Sequence, residues 1–120
     1  MIAITLPWPD RSLHPNSRKH FMVKARAAKA ARQTAGWCAK EAGIRPNDPD
    51  IPAALKVTAI FSPPNNHAHD LDGCLSALKS SLDGIADALG TNDSKWQIAI
   101  RKGEVVKPHG AVRIELEEIA

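Results

Sequence analysis

At 120 residues, 43% of them hydrophobic, the chain is long enough for one buried core and needs no second domain. Its apolar runs are shorter than a bilayer requires, and the opening MIAITLPWPD lacks the charged and long apolar regions of a signal peptide, so a soluble, cytoplasmic protein is expected. The net charge of +3 conceals a division: residues 1–46 carry nine Lys/Arg against two acids, a surplus of seven, whereas the remainder carries seven against eleven, a deficit of four. A basic half suits a polyanion partner, and an acidic half suits cations. Cys38 and Cys74 have no C-x-x-C partner, which argues against a zinc motif or disulfide framework and for small buried thiols.

In chain order, IAITLPW reads as a short strand ended by Pro7 and Pro9. The polar loop PDRSLHPNSRKH is rich in turn formers and is expected to be mobile. Helical spacing begins at Phe21: Phe21, Ala25, Ala28, Ala31, Ala35, Cys38 and Ala42 recur every three or four residues, and Gly43 can end the helix. This face of small residues permits close approach to a sheet, while Arg26, Lys29, Gln33 and Lys40 line another face. GIRPNDPDIP is then a proline-rich connector.

AALKVTAIFS alternates as a half-buried strand does, with Leu55, Val57, Ala59 and Phe61 on one side and Lys56, Thr58 and Ile60 on the other. Leu71, Leu75, Leu78, Leu82, Ile85 and Leu89 form the clearest helical stripe, closed by Gly90. TND leads into WQIAIRKGEVV, and KPHG reads as a hairpin connection to AVRIELEEI. The order β-α-β-α-β-β fits an α+β two-layer sandwich, with both helices on one face of a small mixed sheet that ends in an antiparallel hairpin.

The stretch HAHDLDG places Asp70 and Asp72 at the junction before the leucine-striped helix. On extended backbone, side chains at i and i+2 point the same way and can share one cation. Asp72 also has a structural role open to it as the helix N-cap. Asp70 has none, so a second acid there adds repulsion unless a hard cation such as Mg²⁺ sits between the two. Asp93, in TNDSKW, is either a turn residue or a third ligand; the latter needs its strand to lie beside the one ending at Phe61 and to start near the helix start. On the helix, at about 100° per residue, Ser76, Lys79, Asp83 and Asp87 fall within about 60° of Asp72. Lys79 stands about 10 Å beyond Asp72 along the axis, where it can face a substrate backbone or pair with Asp83 at i,i+4.

Together, ITLPWP at the N-terminus, DLD opening a helix, a Lys followed by SSLDGIADALG, and ND ahead of a strand resemble the RusA family of Holliday junction resolvases of bacteria and their prophages, over nearly the whole chain. The resemblance implies a homodimeric, Mg²⁺-dependent endodeoxyribonuclease, with Mn²⁺ as a substitute metal and no nucleotide cofactor, that cuts four-way DNA junctions symmetrically. The family's catalytic carboxylates map onto Asp70, Asp72 and Asp93, which would hold the metal. Two positions depart from the pattern: Gly73 stands where Asn often follows DLD, and Ser76 where the family has a Lys four residues after the second Asp. Counted back from LDGI, the Lys match is Lys79, which would offset charge on the scissile phosphate.

The basic run that often precedes DLD is NNHAH here, leaving His67 and His69 as exposed loop histidines, pH-dependent phosphate contacts or metal ligands. Arg11, Arg18, Lys19, Lys24 and Arg26 are candidate DNA phosphate contacts. Symmetric cuts with one set of carboxylates per chain call for a homodimer. Two other classes stay open: a branched-DNA-binding protein without cleavage, and a nuclease with wider taste for branched or flap DNA.

Overall fold

The computed structural model describes residues 1–91 and 93–119. Its elements are β1 (Ile2–Pro7), a 3₁₀ turn (Arg11–Leu13), α1 (Phe21–Glu41), β2 (Leu55–Ser62), α2 (Leu71–Leu89), a second 3₁₀ turn (Asp93–Lys95), β3 (Gln97–Lys102) and β4 (Ala111–Glu118). The expected α+β architecture is present, with two helices packed against a four-stranded mixed sheet. Among the described residues no helix is long and apolar enough to cross a membrane.

The sheet order is β1-β4-β2-β3. β4 pairs antiparallel with both β1 and β2, and β3 pairs parallel with β2, so β1, β2 and β3 all run one way with β4 inserted against them. Register aligns Ile4, Ile114, Ala59 and Ile100 in one row across the helix-covered face. The first three are fully buried, and Leu78, Leu82 and Ile85 of α2 close over them in the same core.

The expected β3–β4 hairpin does not form. After β3 the chain stays on β2: Gly103 N–H donates to Phe61 O at 2.8 Å and Val106 N–H to Pro63 O at 2.9 Å. The connection thus passes over the end of β2 and delivers β4 to its other side. There Val112, Ile114 and Leu116 have a neighbouring strand on both flanks, which an edge position in a hairpin would deny them. The same topology makes β2 an interior strand, so Thr58 and Ile60, expected on a solvated side, are also buried.

In α1 the small-residue face is right in kind but shifted: Ala35 and Ala39 are buried, whereas Phe21, Ala25 and Ala42 are exposed. The helix closes on α2 rather than spreading over the sheet. A Cβ at Gly84 of α2 would overlap the carbonyl of Arg32 and crowd the Ala35 Cβ at 3.1 Å, so only glycine admits this approach. Along α2, Leu78, Leu82, Ile85 and Leu89 are buried and Leu71 and Leu75 half-buried, with Gly90 capping the end in the left-handed conformation (φ 74°). Both cysteines are free thiols; burial pushes each up from its ordinary range, and the negative field of Asp70 adds to this at Cys74.

Candidate nucleic-acid interface

Asp70, not Asp72, caps α2. Its backbone is extended (φ −76°, ψ 113°), and its Oδ1 accepts the Asp72 N–H at 3.2 Å. Asp72 already lies in the first helical turn. The two acids therefore do not project as an i, i+2 pair on a strand, and Asp70 has the capping role that the sequence spacing offers to Asp72. Both remain exposed, at the end of the helix where free N–H groups favour negative charge.

Facing this helix start is the segment leaving β1. The Trp8 indole meets Phe61 edge-on at 6.0 Å and His69 edge-on at 5.4 Å, bolting the segment to the loop before α2. Asp10 Oδ1 accepts the Ser12 N–H at 2.9 Å and the Ser12 hydroxyl at 2.7 Å, bonds that hold its carboxyl below the usual carboxylate range. With Ser12 buried, the loop expected to be mobile contains an ordered turn.

Between the two segments runs a cleft of ≈ 520 Å³ lined by Trp8, Arg11, His14, His69, Asp70 and Cys74, among others. His14 sits directly on Gly73: a Cβ there would collide with its ring. Its Nδ1 accepts the Asn16 N–H at 3.2 Å, which orients the imidazole with Nε2 toward α2. The departure from Asn to Gly after DLD thus coincides with a histidine that fills the space. The two histidines before DLD behave differently. His69 is half-buried against Trp8 and donates from Nε2 to Asn65 Oδ1 at 3.1 Å, whereas His67 is exposed.

Asp93 is elsewhere. Because β3 runs parallel to β2 with Gln97 opposite Lys56, β3 starts where β2 starts, while α2 starts beyond the point where β2 ends. Asp93 consequently meets α2 partway down: Lys79 Nζ lies 2.7 Å from Asp83 Oδ1 and 2.9 Å from Asp93 Oδ2. Lys79 and Asp83 stand about 10 and 16 Å beyond Asp72 along the helix axis. Donating to Asp83 first and then to Asp93 raises the Lys79 ammonium above its ordinary range, and Lys79 holds Asp93 below the usual carboxylate range. Among the described residues no group of three or more His, Cys, Asp and Glu side chains is placed to hold a metal ion. A three-acid cage of Asp70, Asp72 and Asp93 does not fit this arrangement. Asp70 and Asp72 remain as a pair, and Mg²⁺ commonly takes only one or two protein carboxylates, completing its shell with water and phosphate.

The basic candidates lie on one side of the molecule's chain order but in three settings. Arg11 lines the Asp70 cleft; Arg18, Lys19 and Arg26 are exposed; Lys24 is half-buried in the first turn of α1. Sequence spacing did not single out His14, Trp8 or the bidentate pair of Arg32 with Asp87, at 2.6 and 2.8 Å, that ties α1 to α2. His14 and Trp8 lay in a segment without periodicity, and Arg32 and Asp87 meet only through helix packing.

No family model matches the sequence. The chain is similar to an uncharacterized protein of Xylella fastidiosa, at 38% identity over 96 residues. That alignment covers 80% of this chain and 63% of the relative, so the chain spans less than two thirds of the protein it matches.

Proposed function

We propose that the protein is a Mg²⁺-dependent, structure-selective endodeoxyribonuclease of the RusA kind, acting as a homodimer on four-way junctions or other branched DNA in a bacterial cytoplasm. The observation that carries this reading is the cleft between the basic, aromatic segment after β1 and the start of α2, which Arg11 lines from the first and the exposed Asp70 from the second. A cation-bearing wall positions phosphate without reading base sequence. Mg²⁺ at Asp70 and Asp72 would supply charge neutralisation on the phosphate and a more acidic water.

The chain's own residues do the remaining work. Arg11 draws the backbone into the cleft, with Arg18, Lys19, Lys24 and Arg26 extending the contact. Asp70 stays aligned because the helix start holds one of its oxygens. Lys79, tethered by Asp83 and Asp93, is a cation that an incoming phosphate can share. The test is nicking of a synthetic four-way junction: cutting that requires Mg²⁺ and disappears with Asp70→Asn, junction binding being retained, supports the proposal. Binding without any cutting by the unaltered protein defeats it.

A second reading, a branched-DNA binder that does not cleave, is favoured by one observation: Asp93 is drawn to Lys79 rather than to Asp70 and Asp72. Equal cutting of junction, fork and linear duplex would instead indicate a nuclease of wider taste.

A further inference from the structure

A second cleft, of ≈ 660 Å³, lies between the C-terminal half of α1 and the end of α2, away from the Asp70 groove, and is lined by Lys29, Arg32, Gln33, Trp37, Lys40 and Asp87 among others. Trp37 leaves 69% of its surface in solvent, unlike the buried Trp96 and half-buried Trp8. An indole so exposed forgoes most of the burial that makes tryptophan favourable in a core. The ammonium of Lys40 sits 4.8 Å from the centre of its ring. Lys29, Gln33, Trp37 and Lys40 recur at helical spacing, so they share one stripe about 16 Å long. Among the described residues, Arg32 is the one of these three cations with an ion-pair partner, Asp87. Lys29 and Lys40 leave the stripe positive.

We propose that this stripe binds a short run of unpaired DNA, a base stacking on Trp37 and the flanking phosphates meeting Lys29 and Lys40. A flat ring between cations matches a flat base between phosphates, and the match is to unpaired strand because in a duplex each base face is covered by its neighbours. The bidentate pair of Arg32 with Asp87 links α1 to α2 beside the stripe. The inference goes beyond the cleavage proposal and needs no metal and no cutting step.

The test uses the whole chain in EDTA with a fluorescein-labelled oligothymidylate of about 12 nucleotides, read by anisotropy, and a blunt duplex of equal length as comparison. Preference for the single strand is expected, with Trp37→Ala weakening it by roughly ten-fold or more and Trp37→Phe restoring most of it. Lys29→Gln with Lys40→Gln should reduce the salt slope by about 1.4. Trp37→Ala binding the oligonucleotide as tightly as the unaltered protein would overturn the proposal. So would equal, Trp37-dependent binding of a polyglutamate peptide, which would assign the stripe to an acidic protein partner. Because binding is read without divalent ion, a failure of junction cleavage leaves this result independent.

Discussion

The ammonium of Lys79 lies 2.9 Å from the carboxylate of Asp93, a contact across fourteen residues that holds the start of β3 against the middle of α2. With side chains 60% and 31% exposed, solvent screens the pair, and Lys79→Met is expected to cost only ~0.2–1 kcal/mol. Its pH dependence has a definite sign. Asp93 is lowered from 3.8 by Lys79, so the pair adds stability above that value and the addition fades as pH falls through the lowered one. Lys79 is raised from 10.5, so its contribution is full below that value and fades as pH rises through the raised one. Urea midpoints of Lys79→Met and the unaltered protein should therefore differ near neutrality and converge in strong acid; a constant gap would show that the ion pair is not its source.

Asp70 can be separated into cap and chemistry. Asn caps helices about as well as Asp, whereas Ala does not, so Asp70→Asn should leave stability nearly unchanged and Asp70→Ala should lower it by ~0.5–2 kcal/mol. Thermal or urea unfolding of the two variants checks this. Equal losses would mean that Asp70 stabilises by its charge rather than by accepting the Asp72 N–H.

Gly73 and His14 should behave as a coupled pair. Alanine is better than glycine inside a helix by ~0.5–1 kcal/mol, but a Cβ at 73 pushes into the His14 ring. Gly73→Ala alone is expected to be near neutral in stability and to displace His14, seen as shifted imidazole resonances. In a His14→Ala background the same change should stabilise by that ~0.5–1 kcal/mol. Additive behaviour would show that the ring yields freely.

Gly84 offers the contrast. The atom a Cβ would strike is the Arg32 backbone carbonyl, which cannot swing aside as a side chain can. Gly84→Ala should destabilise by ~1–3 kcal/mol despite the gain in helix propensity, with an unchanged denaturant slope.

The elements themselves were legible because they depend on neighbours in sequence. The leucine stripe of α2 and the alternation of β2 and β4 are local periodicities that burial enforces, and Gly90 ends its helix as the spacing implied. What periodicity could not express was which strand pairs with which. Val112, Ile114 and Leu116 alternate identically in a hairpin and in an interior strand, and the choice between them rests on the path of residues 103–110 over β2.

The candidate site follows the same division. The sequence by itself determined that two acids stand at the start of α2, that a basic segment precedes α1, and that Lys79 lies on the acid-bearing stripe, since each is a matter of order and spacing along the chain. Only the tertiary structure decided that Asp93 joins Lys79 and Asp83, that His14 covers Gly73, and that Arg11 and Asp70 line one cleft. These contacts depend on strand direction and on how segments distant in sequence pack, and the parallel pairing of β3 with β2 sets the end of the sheet at which Asp93 emerges.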